Sequence, residues 1–557
     1  MRGTLLLVWM AVPAVALAQQ PQNPYPSNPA PTQYPQNGYP PPQNQPAQYP
    51  QNGYPPPQNY PNYSQRSAAP PPPLAPPPPA RLTLATRSLP VAELVTACAN
   101  AIDNYHLDIA RKRCGEALAK EDTLAFTHYL LAQADSPDVA NKELARAAEL
   151  SKTASRGEQL FIEGYRAMTQ ARTADARRTY DELVKTLPGD ARALVARGQF
   201  RQTALGDLDG AVADYAKATE LDARYPAAYN FLAFAQADRG QLDEAQASLK
   251  KYVDLAPTEP NAYDSLALLA LRRGATDEAI AQARKALQID PGFVVAHGVL
   301  GDALLFSGKG KEARRAYAAL IAIDDPTIHH DGAMREARSW LFDGRFGDGE
   351  RALSTEADLA AKTKRPGDQA DALVELGRVQ LDRGALAEAG QSLRQARQAL
   401  GTERAGGASD AAEVATLMSE TERRRLSGEA FHVRAMVIAA IGERQLAEQR
   451  ADEMGVVLKL AGDPRAGAKA TALKGWIAAR NGDDKTALAQ LGQATRPTLR
   501  LALALAAARA HDEARARTIF DELARRMVND MEGALTRPRA AAWMKQHAPT
   551  AASAKND

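Results

Sequence analysis

The sequence predicts an all-α protein built as a stack of helix-turn-helix hairpins, and three observations carry that expectation. Ala211, Ala245, Ala279 and Ala313 stand 34 residues apart. Gly240, Gly274 and Gly308 keep the same phase between two helix-length stretches, where a hairpin needs a residue tolerant of a left-handed turn. Pro188, Pro257, Pro291 and Pro326 follow the second stretch and are expected to stop its helix, because proline has no amide to continue the ladder. A period of this size marks a repeat architecture, so the elements are read from the repeat.

Composition divides the 557 residues unevenly. Of 37 prolines, 23 lie between Pro21 and Pro79, so the averages describe neither part of the chain. The chain opens with Arg2, an apolar stretch from Thr4 to Val12 and on to Leu17, and small residues at Ala16 and Ala18, the order of a cleavable secretory signal over residues 1–18. The apolar run is shorter than the roughly 20 residues that span a bilayer. No stable membrane insertion is therefore expected after cleavage. The mature chain is expected to be exported, into a periplasm or cell envelope. Residues 19–80 carry Arg66 as their one charged side chain, and the twelve residues at 33–44 recur letter for letter at 48–59. Rich in Pro, Gln, Asn and Tyr, this segment cannot offset chain entropy by burial and is read as a disordered tether. Lys+Arg total 68 against 66 Asp+Glu, a balance that argues against a nucleic-acid partner. Two cysteines exclude a disulfide-built scaffold and a four-thiolate zinc site.

The helical part fills the rest. Three copies are regular: Tyr229, Leu232, Ala233, Ala245, Leu249 and Tyr252; then Tyr263, Leu266, Ala267, Ala279 and Ala283; then His297, Leu300, Gly301, Ala313, Tyr317 and Leu320. Small residues let antiparallel helices approach while the large ones fill the space around them. Looser copies extend both ways, around Gly164, Ala176 and Tyr180, around Gly377, Gly384 and Ala389, and around Gly344, Gly442 and Gly482. Eleven or twelve hairpins result. The expected boundaries are divergent hairpins over 81–190, regular units over 191–327, degenerate hairpins over 328–540 and a disordered tail over 541–557.

This pattern of small and large residues resembles the tetratricopeptide repeat family. The resemblance implies a right-handed superhelix, an α-solenoid, with a concave groove lined by the first helix of each unit. Such a groove takes a protein or peptide partner. Its groove positions here are Asn230, Phe234, Asn261, Asp264, Leu268, Leu271, Arg272, Asp302 and Phe306. Asn230, Asn261 and Arg272 meet only in part the Lys/Asn/Arg set with which some members clamp a chaperone's terminal carboxylates. Phe234, Leu268 and Phe306 suit an apolar or helical segment. Cys98 and Cys114 fall at inward places on the two helices of the first hairpin, and in an oxidising compartment they are expected to form a disulfide; buried thiols are the alternative.

No catalytic constellation is visible. His329, His330 and Asp331 follow Pro326 and are read as an inter-unit surface loop, not a metal site. Gly308-Lys309-Gly310-Lys311 lacks phosphate-loop spacing. Neither metal nor cofactor is expected. The function this supports is a non-enzymatic, exported scaffold of the cell envelope that binds a protein or peptide partner through its concave face. A structural spacer tied to an envelope polymer by the Tyr/Pro segment is the alternative.

Overall fold

The computed structural model describes residues 80–135, 137–170, 172–402, 420–463, 465–525 and 530–547. The expected signal, tether and final residues lie outside them. The described residues contain 25 α-helices and no strand. The first six are α1 (Leu89–Asp103), α2 (Leu107–Leu118), α3 (Ala125–Ala134), α4 (Pro137–Leu150), α5 (Arg156–Thr169) and α6 (Thr173–Thr186). The regular units supply α7 (Ala191–Phe200), α8 (Leu208–Leu221), α9 (Pro226–Asp238), α10 (Leu242–Leu255), α11 (Pro260–Arg272), α12 (Thr276–Ile289), α13 (Val295–Phe306) and α14 (Gly310–Ile321). Next come α15 (Pro326–Phe342), α16 (Phe346–Lys362), α17 (Pro366–Arg383) and α18 (Leu386–Ala399). The last are α19 (Glu420–Ala440), α20 (Arg444–Leu460), α21 (Ala466–Arg480), α22 (Asp484–Gln490), α23 (Pro497–Arg509), α24 (Glu513–Arg525) and α25 (Met531–Gln546). They pair into twelve antiparallel hairpins, each packed on the next, with α25 left over as a closing helix.

Local chemistry sets the ends. Gly240, Gly274 and Gly308 turn their hairpins at φ of 81°, 76° and 80°, a region that costs side chains with a Cβ. Ser155 and Glu158 form a reciprocal capping box on α5, and Asp190 caps α7 by accepting from the amides of Arg192 and Ala193. Pro257 and Pro291 lie just past α10 and α12, as stops do. Pro326 does the opposite: it sits at the first position of α15, capped by Asp325, where a missing amide is harmless. His329 and His330 are consequently helical rather than in a surface loop, and His330 is buried. Two expected boundaries also move. Residues 81–88 precede the first hairpin as a non-helical arm, and α25 continues past Ala540 to Gln546.

First helices of neighbouring hairpins pack on one another, α11 on α13 and α21 on α23 for instance, in addition to their own partners. They therefore line the inner side of the stack, and their alanine-rich surfaces are buried nearly all round. The array also returns on itself. The turn at Gly462, between α20 and α21, sits so close to the start of α6 that an added Cβ would collide with Thr173 Oγ1.

A candidate interaction surface

The inner face has three lines of residues at the repeat period: Asn230 and Asp264; Phe234, Leu268 and Asp302; Asp238, Arg272 and Phe306. The structure joins these residues mainly to one another. Arg272 Nη1 donates to Asp238 Oδ1 at 2.7 Å, one repeat back on the same line, and its guanidinium lies 5.6 Å from the Phe234 ring. Asp302 accepts from Tyr317 Oη at 2.9 Å and from Arg335 at 2.5 Å. Phe306 meets the Phe342 ring edge-on, and Arg537 of α25 covers it at 5.0 Å. Asn230, Phe234, Asn261, Asp264, Leu271, Asp302 and Phe306 are all buried, and Leu268 and Arg272 are half-buried.

Segments of the same chain dock along this side of the stack. The turn between α1 and α2 docks on the starts of the first helices of later hairpins. Asp103 accepts from Arg192 Nη1 at 2.5 Å and from Tyr225 Oη at 2.8 Å. Asn104 Oδ1 accepts from Tyr252 Oη at 2.5 Å, and Tyr252 in turn accepts from Asn261 Nδ2 at 3.1 Å. His106 Nε2 lies 2.9 Å from Glu259 Oε1, and its ring packs 5.2 Å from that of Phe293. Tyr225, Glu259 and Phe293 are 34 residues apart, so the turn touches one equivalent position in each of three consecutive repeats. The hairpin that presents it is pinned by a disulfide between Cys98 and Cys114, whose Cα atoms are 5.4 Å apart.

The electrostatics follow from that burial. Desolvation raises the Asp103 carboxyl, with Arg192 opposing it. Burial works against a charged His106, but the bond and charge of Glu259 prevail and raise its pKa. Asp264 is pushed up to about 7 by burial; Arg335 counteracts this and Asp302 adds to it. Asp264 Oδ1 and Asn230 Oδ1 have no hydrogen-bond partner among the described residues.

Two further segments reach along the array. In residues 80–88, half-buried Leu82, Leu84 and Thr86 alternate with exposed neighbours, the pattern of an extended chain. Leu82 N donates to Asp190 Oδ2 at 2.8 Å, Ala85 N to Glu158 Oε1 at 3.2 Å and Thr86 Oγ1 to Glu121 at 2.5 Å. At the far end α25 folds back onto α15, α17 and α23. Its Glu532 meets both Arg378 and Arg496, which also share Glu429. Sequence inspection does not find these groups. Tyr225, Glu259 and Phe293 are chemically unlike one another, so their common period carries no visible motif, and the partners of Glu532 lie far away in the chain. Among the described residues, no group of three or more His, Cys, Asp or Glu is arranged to hold a metal, and no helix is long and apolar enough to cross a membrane.

A stack of helical hairpins whose inner row seats polypeptide, one contact per repeat, is a solenoid scaffold. Models of the tetratricopeptide repeat match residues 163–226, 202–269 and 270–336, the stretch from α5 into α15. Residues 163–336 are therefore similar to tetratricopeptide repeats, and the hairpins on either side continue the same all-α stack. No curated protein matches it. Similar solved structures include MamA, at 24% identity over 30% of this chain and 90% of that one, with a TM-score of 0.25. A thermophilic repeat protein of this family from Thermus thermophilus matches at 21% identity, covering 32% and 97% with a TM-score of 0.29. One from Parabacteroides merdae matches at 18% identity, covering 44% and 98% with a TM-score of 0.31.

Proposed function

We propose that this chain is a non-enzymatic, exported scaffold that holds a protein or peptide partner in the cell envelope. The observation that carries the binding part is the docked turn of the first hairpin. Arg192, Tyr225, Tyr252 and Glu259 already grip a polypeptide turn through one or two polar contacts per repeat, which is how a repeat surface reads a segment. The charged start, apolar stretch and small-x-small end of residues 1–18 support export. A paired Cys98 and Cys114 suits an oxidising compartment.

The test is expression with the native N-terminus in a two-membrane bacterium, followed by fractionation, N-terminal mass analysis and cross-linking in the intact cell. The expected result is a periplasmic chain beginning at Gln19 that cross-links reproducibly to a protein. Retention in the cytosol with Met1 in place would overturn the export reading. A chain with no cross-linked protein above the background of an unrelated exported control would overturn the scaffold reading.

A further inference from the structure

The inner face is not covered evenly. Around the last hairpins a cavity of about 350 Å³ stays open between α17, α19, α21, α23 and α25. Its apolar wall is made by Met436, Trp476, Leu505 and Leu535. Leu505 is 41% exposed, although it sits on a first helix whose neighbouring Ala504 and Ala506 are fully buried. Its apolar surface is therefore turned toward whatever fills the cavity.

The charges around this wall differ in how far they are already used. Arg378 at the floor is spent on Glu375, Glu429 and Glu532. Arg539, half in solvent, pairs with Asp382, at 2.8 Å. Arg480 is exposed, lies 5.8 Å from the Trp476 ring, and makes no ion pair among the described residues. The rim thus presents two arginines against one aspartate beside an aromatic and aliphatic wall. Trp and Arg around a concave apolar patch are the residues that carry most binding energy at protein interfaces. The larger cavity, about 520 Å³ between the arm and the first hairpin, is balanced in charge, lined by Arg81, Arg192 and Arg224 and by Asp103, Asp190 and Asp222.

We infer that this cavity is a docking site for an acidic segment of a protein partner, one that places an apolar side chain against Trp476 and Leu505 and a neighbouring carboxylate at Arg480. The volume takes a few side chains, so it fits a short linear segment rather than a folded surface. Closing helix α25 supplies one wall through Leu535 and Arg539. The inference rests on the scaffold reading but is tested separately from it.

The test uses the full chain and three fluorescein-labelled short peptides: alternating Leu and Glu, the same with Lys for Glu, and the same with Ser for Leu. Fluorescence anisotropy should show saturable binding of the Leu/Glu peptide, weakening with added salt, with the other two bound at least about tenfold more weakly. Arg480→Glu, at an exposed side chain without an ion pair, and Leu505→Ser should each cost about tenfold or more in affinity for the Leu/Glu peptide, with unchanged circular dichroism for Arg480→Glu. Equal binding of the Leu/Lys peptide, unchanged affinity in Arg480→Glu, or binding of anionic lipid vesicles in place of the peptide overturns the inference. If both variants still cross-link the cellular partner as the parent chain does, this site is wrong while the scaffold stands. If the parent chain cross-links nothing, the scaffold reading fails and the titration still decides what the cavity binds.

Discussion

Gly301 shows how the repeat packs at the level of single side chains. A Cβ built there would lie 2.2 Å from Cε1 of Tyr317, whose hydroxyl is held by Asp302. Gly198 stands in the same relation to Tyr215, with 2.6 Å to its ring. Where the second helix carries Leu249 instead, the first helix has Ala233. Volume is traded across the pair, so the small residues are legible in sequence, but which large residue covers each one is settled by packing. Asp264 follows a different logic. The repeat phase marks it as a partner-binding position, yet in the structure it is a buried carboxyl raised to about 7 from an ordinary 3.8. Between those values the unfolded chain ionises while the folded chain keeps its proton, so stability falls as pH rises from about 4 to 7 and is level beyond. Asp264→Asn is therefore expected to match the parent near pH 4 and to exceed it at pH 8 by on the order of 2–4 kcal/mol. Urea unfolding at the two pH values measures this, and a less stable variant at pH 8 would mean that Arg335 keeps the carboxylate ionised.

At the scale of elements, the first hairpin behaves as a unit with two different faces. Its apolar side, including Cys98, Ala110, Cys114 and Ala117, joins the core of the next two hairpins. Its turn reaches the regular repeats through polar contacts to Arg192, Tyr225, Tyr252 and Glu259. Tyr105 in that turn takes a φ of 62°, a strained value for a residue with a side chain. The equivalent turns at Gly240, Gly274 and Gly308 use glycine, so the docked contacts hold Tyr105 where its own backbone preference would not. Arg192→Ala removes the partner that spans Asp103 and Asn100. Faster hydrogen exchange is expected in α1 and α2, with α11 to α14 unchanged, since the apolar side and the disulfide remain. Exchange unchanged in α1 and α2 would show that the polar row does not hold the hairpin.

At the scale of the molecule, α25 makes a repeat array into something less one-dimensional. Stacked hairpins normally couple only to their neighbours, and their ends fray first. Here Glu532 ties the last helix to Arg378 and Arg496, and Arg539 reaches Asp382. Both arginines depend on Glu532 and Glu429 for compensation in a buried setting, and His432 beside them is lowered to about 3, by burial first and then by the Arg496 charge. Removing one partner of such a network leaves charge uncompensated, at a typical cost of about 3–5 kcal/mol. Glu532→Ala is expected to open the last five helices to limited proteolysis while residues 80–342 stay protected. Cleavage no faster than in the parent chain would show that α25 is held by its apolar contacts alone.

The hairpins, their turns and their order were legible in the amino-acid sequence, because each depends on residues within one repeat or its neighbour, and such contacts recur with the period. The helical placement of His329 and His330 was not, since Pro257 and Pro291 lie three and four residues ahead of the next helix whereas that helix starts at Pro326 itself. By itself the sequence determined an all-α stack of paired helices and the inward places of Ala233, Gly301, Cys98 and Cys114. Only the tertiary structure decided that the inner face is partly filled by the chain's own first hairpin and closing helix, and that a cavity with Arg480 on its rim remains open. Those contacts join residues such as Asn104 and Tyr252, 148 apart, and Arg378 and Glu532, 154 apart. Pairs at such separations share no period, and they meet through the curvature of the whole stack.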